Sequence, residues 1–393
     1  MKILFIAPLP PPVHGSAMVS QYIKDSKLVQ EQYDCDFVNL STSRRMDEIG
    51  KGGMKKILRF VGAYFALLWK LLTHRYALCY LAITCHDMGF LKDAPFVLLC
   101  KLFRRRVLIH QHNKGMSGCV ERWPYRWLLP LVYRNTTVML LSWHLYDDIA
   151  AVVKREQVVV CPNGIPEQAV GHWPLAVGSR DDDNCAAELQ ANSQKPKANS
   201  QAPSANSQQP TAKILFLSNL IPSKGVYVLL DACRILRERG LDFVCDFVGG
   251  ETKEIDRATF EAAVKERGLE GIVCYQGPKY GEEKEVYWQG ADLFVQPTFD
   301  DCFPLTLVEA MQHRLPIVST DVGAIPDMVE DGVNGFVCKQ RDVDSLVTAL
   351  ERLITDPALR QQMGERGYQR YREEFTLEAF EKRFAMLIQQ SCN

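Results

Sequence analysis

The sequence predicts an α/β protein built as two doubly wound, Rossmann-like domains. Three observations predict it. The 393 residues exceed what one hydrophobic core usually supports. Strand patterns alternate with helical ones along most of the chain, which is the mark of a parallel sheet covered by helices. A low-complexity stretch in the middle divides that alternation into two sets.

The first set opens with residues 2–7, an apolar run too short for a signal-peptide core and read as a buried first strand. Further strand patterns follow at 76–83, 107–110, 137–141 and 158–161. The second set places strands at 212–217, 243–248, 272–276, 293–296 and 316–319. Between the sets, Ala191-Asn192-Ser193-Gln194 recurs at Ala198 and again at Ala205, a period of seven without apolar a and d positions. That composition excludes a coiled coil and leads us to expect a solvated, disordered insert. The expected organisation is an N-terminal domain over 1–170, an insert over 171–211, a C-terminal domain over 212–375 and a final helix over 376–393 that packs back on the N-terminal domain.

Charge and cysteine usage exclude several classes. The 46 basic and 47 acidic residues nearly cancel, but residues 1–170 hold 22 Lys and Arg against 13 Asp and Glu. This split argues against a nucleic-acid partner and allows contact with an anionic membrane or an acidic acceptor, although a scattered basic surface gives the same count. Thirteen cysteines without a C-x-x-C pair indicate neither a disulfide framework nor a zinc site, so a cytoplasmic location is expected. The longest apolar run, 57–72, is broken by Arg59 and Lys70 and falls short of the roughly 20 residues of a spanning helix. Lys55, Lys56 and Arg104 to Arg106 flank apolar stretches here, which fits a peripheral contact at the inner membrane face. The run is apolar nearly all round, and this favours a helix packed inside the domain.

Open parallel sheets bind ligands beyond the carboxyl ends of their strands, so candidate residues are sought there. After the first strand, a proline-rich turn reaches Gly15 and a helical run, which would bring free backbone N–H groups to a phosphate; a tight strand-to-helix turn fits equally. At 214–226, Lys224 and Gly225 stand where the next helix begins. A lysine there opposes the helix dipole, and a bound diphosphate would account for it, as would a simple exposed loop. In 296–311, Asp301 and Glu309 are separated by seven residues. With a helix starting near Pro304, the amides of Leu305 and Thr306 face the cleft, and Glu309 can offer a carboxylate to paired ribose hydroxyls; dipole stabilisation and capping are the alternatives. His110 and His112 fall on one face of a strand end, with no third metal ligand evident.

Together these segments resemble the retaining glycosyltransferases of family four, over most of the chain except the insert. Asp301 to Glu309 is similar to the family's E-x7-E element with Asp in its first position. Val322-Gly323-Ala324-Ile325-Pro326-Asp327, Asp331-Gly332-Val333-Asn334-Gly335-Phe336 and Pro162-Asn163-Gly164-Ile165 match further family segments. The resemblance implies a GT-B fold, two Rossmann-like domains facing across a cleft, and metal-independent transfer of a sugar from a nucleotide-diphosphate donor to a saccharide or lipid-linked acceptor, with no other cofactor. It implies Lys224 on the diphosphate, Glu309 on ribose, Asp301 and His112 near the donor sugar, and the backbones of Gly15, Leu305 and Thr306 near phosphate. Ser218 and Asn219 stand where the family has Gly-Arg, so one expected cation on the diphosphate is missing; His14-Gly15 replaces a glycine pair and Pro304 a glycine. A non-catalytic partner with the same fold and a sugar-nucleotide epimerase are the competing readings.

Overall fold

The computed structural model describes residues 1–11, 15–41, 53–167 and 211–392. The heptapeptide repeats, almost all of the expected insert and His14 lie outside the described residues. Two six-stranded sheets carry the fold. The first contains β1 (Lys2–Ala7), β2 (Asp34–Asn39), β3 (Leu78–Ile83), β4 (Arg106–Gln111), β5 (Thr137–Leu140) and β6 (Val158–Val160), in the order β2-β1-β3-β4-β5-β6. The second contains β7 (Ala212–Leu217), β8 (Phe243–Val248), β9 (Val273–Gly277), β10 (Leu293–Val295), β11 (Ile317–Thr320) and β12 (Gly335–Cys338), in the order β12-β11-β10-β7-β8-β9. Every pairing is parallel. Parallel strands are covered on both faces, which is why β3 reads as an unbroken apolar run, buried at all six positions. The strand order reverses between β1 and β3 and between β7 and β10, the two places where such sheets open a ligand crevice.

The expected strands are present within two residues at each end, and the sequence reading omitted β2 and β12. Both are edge strands. β2 alternates Asp34 and Asp36 with partly covered residues, and Asp36 accepts a hydrogen bond from Tyr76 at 2.6 Å while Lys70 lies 3.1 Å away. Four residues of β12 are too few to show a period.

The helices are α1 (Gly15–Asp25), α2 (Lys27–Gln32), α3 (Met54–Thr73), α4 (Asp87–Leu102), α5 (Tyr125–Tyr133) and α6 (Tyr146–Ile149) in the first half. The second half adds α7 (Val226–Glu238), α8 (Arg257–Glu266), α9 (Glu282–Gly290), α10 (Leu305–Gln312), α11 (Ile325–Met328), α12 (Val343–Thr355), α13 (Pro357–Arg370) and α14 (Leu377–Cys392).

Helix α14 follows the second sheet but completes the core of the first. Its Phe380, Phe384 and Ile388 are fully buried with Ile3, Phe5 and Tyr80, and each contributes about 1.5–3 kcal/mol by leaving water. The chain crosses between domains at Pro162-Asn163-Gly164-Ile165. There Ile165 donates to the Phe375 carbonyl at 3.0 Å and accepts from the Leu377 amide at 2.7 Å. A methyl group on Gly164 would fall 2.3 Å from the Thr376 carbonyl oxygen, so the close approach of the two segments requires glycine.

Helix α3 departs from the expected interior placement. Only Leu67 and Leu71 are fully buried, while Phe60 and Tyr64 pack edge-on against Phe96 of α4. Phe65 and Trp69 are 61% and 68% exposed. A helix that is apolar all round has more apolar surface than one sheet-facing layer can cover, and here the remainder faces outward.

Candidate active site

The loop after β10 organises the C-terminal crevice. Buried Gln296 at the strand end donates to Asp301 at 3.4 Å and accepts from the Thr306 hydroxyl at 2.7 Å, while its carbonyl accepts from Ser319 at 2.7 Å. Asp301 receives the Lys224 ammonium at 2.5 Å on one oxygen and the Cys302 amide at 2.8 Å on the other. Lys224 also donates to the Asp300 carbonyl at 3.1 Å. The ammonium is held by local turn geometry: Lys224 ends a short 3-10 turn, Pro222–Lys224, and Gly225, at φ 84°, separates it from α7. A side chain on Gly225 would meet the Pro297 carbonyl at 2.1 Å, so this glycine lets the Lys224 turn lie directly on the β10 loop.

Helix α10 begins at Leu305, immediately after Pro304, and Leu307 is the first of its amides bonded back to Pro304, at 3.1 Å. The amides of Leu305 and Thr306 thus occupy the first turn, where the dipole favours anions. One turn on, Glu309 takes Lys284 of α9 at 2.8 Å on one oxygen. Its second oxygen is buried without a hydrogen-bond partner, an arrangement costly enough to need a use. Helix α1 of the other domain faces this turn. A methyl built on Gly15 would sit 3.8 Å from Leu305 Cδ1. The Tyr22 phenol is pushed above its ordinary pKa by burial and, after that, by the Glu309 charge.

Across the cleft, β4 delivers His110 and His112 with ring centroids 4.0 Å apart. His110 is fully buried, its Nδ1 shares a 2.7 Å hydrogen bond with Tyr80, and burial followed by the neighbouring His112 holds it well below the usual imidazole pKa. It is therefore a neutral core residue, whereas half-buried His112 lies at the strand end. Among the described residues, side chains tie the crevices together: Lys114 reaches Asp300 at 3.3 Å, His144 reaches Asp327 at 3.0 Å, and the Ser142 hydroxyl donates to Asp327.

The structure thus brings Lys224, Asp301 and Thr306 into one network through Gln296, and sets Glu309 and Gly15 against the same helix. Ser218 and Asn219 stand apart from it. Asn219 accepts from the Gly250 amide at 2.9 Å, and Gly249 packs against the Ser218 carbonyl, so this pair shapes the neighbouring loop. Sequence reasoning missed Gln296, Lys284, Lys114 and Tyr22 as site residues. The signal for Lys284 was hidden in the run Glu282-Glu283-Lys284-Glu285, which reads as a solvated face. Among the described residues no group of three or more His, Cys, Asp or Glu is placed to hold a metal ion. In chemical terms the crevice offers a cation, two helix-end amides and a carboxylate with an unpartnered oxygen, a set complementary to a phosphate ester beside a diol.

Comparison with known proteins bears on the family and the fold. Residues 198–370 match the family described as glycosyl transferases group 1. The amylovoran biosynthesis glycosyltransferase of Erwinia amylovora is 33% identical over 147 residues, 36% of this chain and 35% of that protein. A D-inositol 3-phosphate glycosyltransferase of Corynebacterium aurimucosum is 30% identical over 157 residues, 39% of this chain and 37% of that protein. The chain thus spans little more than a third of the length of these relatives. Among solved structures, sucrose-phosphate synthase from Thermosynechococcus elongatus superposes with TM-score 0.71 at 17% identity, covering 99% of both chains. HepE of Anabaena in complex with UDP superposes with TM-score 0.69 at 16% identity, covering 99% of this chain and 100% of that one. The fold is GT-B.

Proposed function

We propose that the protein, which matches the group 1 glycosyl transferases over residues 198–370 and has the GT-B fold, is an enzyme that moves a sugar from a nucleotide-diphosphate donor to a saccharide or lipid-linked acceptor, with retention of configuration and without metal. The observation that carries this reading is the ion pair of Lys224 and Asp301 at the β7/β10 switch point, followed by a helix whose second turn holds a Glu309 oxygen without a partner. Solved relatives in complex with UDP and with UDP-glucose share the fold, and the name of the Erwinia relative suggests a role in polysaccharide biosynthesis.

In this reading Lys224 exchanges the Asp301 carboxylate for the donor diphosphate, and the Leu305 and Thr306 amides complete the clamp. Negative charge develops on the leaving diphosphate as the anomeric carbon becomes positive, so a fixed cation and fixed dipoles stabilise the transition state more than the ground state. The released Asp301 carboxylate then lies on the side of the developing positive charge, with His112 across the cleft. Glu309 takes the ribose hydroxyls on its unpartnered oxygen. The protein works in the cytoplasm, in peripheral contact with the membrane.

Mass-spectrometric detection of nucleoside diphosphate release from a panel of UDP-, GDP- and ADP-sugars in EDTA tests this. Release by the wild type, lost in Lys224→Ala and Glu309→Ala, supports it and identifies the base. One observation favours a second reading, a non-catalytic binding partner: Ser218 and Asn219 supply no cation, and Asn219 is engaged by Gly250. Donor binding without release, with or without acceptor extracts, would select that reading. Product analysis separates transfer from epimerisation.

A further inference from the structure

Helix α3 has three faces. Phe60, Tyr64, Leu67 and Leu71 face α4 and the sheet. Met54, Leu58, Val61, Phe65, Trp69 and Leu72 follow one another at spacings of three and four, so they form a single stripe about 27 Å long on the outside of the helix. Each of these six is between 39% and 71% exposed. The neighbouring helices also expose apolar side chains: α4 exposes Met88 and Leu102, and α5 exposes Trp127 and Leu131 one turn apart, with Trp123 just before it. Soluble monomers seldom leave an apolar stripe of this length uncovered.

Charge selects what covers it. Residues 53–134 hold fourteen Lys and Arg against three Asp and Glu, and α3 itself carries no acid; five of the fourteen are engaged elsewhere, Lys70 by Asp36, Lys92 by Asp93, Lys114 by Asp300, Arg122 by Asp87 and Lys101 by the carbonyls at the end of α5, and nine others keep the excess basic. Of the three acids, Asp93 is buried and Asp87 pairs with Arg122. Arg126 lies over the Trp127 ring at 5.0 Å, so cation and aromatic occur together at the exposed rim. A second copy of the chain would bring two faces of the same sign together, whereas an anionic bilayer supplies both an apolar layer and opposite charge. The third face of α3, with Arg59, Gly62 and Ala66, lines a cavity of about 590 Å³ whose far wall is Phe37 and Asn39 at the end of β2 and Pro11 in the loop after β1.

We propose that the outer face of α3, α4 and α5 docks on an anionic bilayer, with Phe65, Trp69 and Trp127 entering the interface. The docked helix also walls the cavity at the carboxyl edge of the N-terminal sheet, and that cavity receives the acceptor from the same bilayer; this last step rests on the sugar-transfer reading. No described helix is long and apolar enough to cross a membrane, and the docking is peripheral.

The full-length protein is sedimented with phosphatidylcholine vesicles with and without phosphatidylglycerol, at low and high salt. The expected result is binding that requires phosphatidylglycerol, weakens in salt and falls at least about tenfold in Phe65→Ser/Trp69→Ser. Trp127→Ser gives a smaller loss. Circular dichroism and donor titration check that the variants fold, since all three side chains lie at the surface and outside the donor crevice. Absence of vesicle binding overturns the proposal, as does binding indifferent to phosphatidylglycerol or to the double substitution. A wild-type dimer in sedimentation equilibrium that the double variant dissolves also overturns it. Vesicle binding is measured without sugar donor, so failure of the donor panel and failure of docking are separate results.

Discussion

The two sheets share six parallel strands and a reversal of order beside the first strand, yet their crevices are furnished differently. Beside β7 and β10 stand two half-buried ion pairs, Lys224 with Asp301 and Lys284 with Glu309. On the other side of the cleft, β4 carries His110, neutral, buried and tied to Tyr80, with His112 next to it. The difference teaches how the two halves divide a reaction. Internal pairs keep the charges of the C-terminal crevice desolvated and exchangeable, which suits a phosphate ligand. On the N-terminal side the buried His110–Tyr80 pair at the end of β4 is neutral, and charge enters the cleft through Lys114 and His144.

The largest expected effect tests the charged side. Lys224→Ala should lower kcat for sugar transfer about 10²- to 10³-fold, the usual cost of removing one preorganised group that meets developing charge. Lys224→Arg should recover part of it. Single-turnover product formation is the measurement, and a loss under tenfold would mean that the two crevices do not differ as described.

The seam between the halves comes next. Gly164→Ala would press a methyl group into the Thr376 carbonyl. We expect about 1–3 kcal/mol of destabilisation, a fall in Tm of several degrees, and separation of one melting transition into two by calorimetry. A single transition at the wild-type temperature would show that the chain crossing does not couple the domains.

The neutral side has a pH signature. Burial holds folded His110 below its ordinary pKa, whereas in the unfolded chain it titrates near 6.5. Above that value neither state is protonated and the stability is fully present. As pH falls below about 6.5 the unfolded chain takes up a proton that the folded one refuses, and stability declines by up to about 1.4 kcal/mol per pH unit. His110→Asn should be less stable at pH 7.5 but should lose less between pH 6.5 and 5 in denaturant titrations. Parallel curves for the two proteins would place the acid sensitivity elsewhere.

The same asymmetry governs what could be read in the sequence. The interior strands β1 and β3 stood out because residues 3–7 and Leu78–Ile83 are apolar without interruption, and the β10 loop stood out because acids, prolines and a helix start are compressed into it. Edge strands β2 and β12 escaped, one acidic and one short. Lys284 and Lys114 escaped because a cation that crosses between elements leaves no local pattern. Helix α3 misled for the opposite reason: periodicity reports how much of a helix is apolar, but not which apolar face a neighbouring layer will cover.

Lys114 provides the finest test, since it carries N-terminal charge to the β10 loop through Asp300. The pair is 3.3 Å long, with side chains 30% and 64% exposed, so screening limits it to about 0–1 kcal/mol. Lys114→Ala should therefore shift Tm by no more than a few degrees and donor affinity by less than about fivefold, with both effects fading in salt. A larger, salt-insensitive loss of donor affinity in calorimetric titration would mean that Lys114 leaves Asp300 for the donor phosphate. The cation absent at Asn219 would then be supplied from across the cleft, and the N-terminal crevice would share in the electrostatics assigned here to its partner.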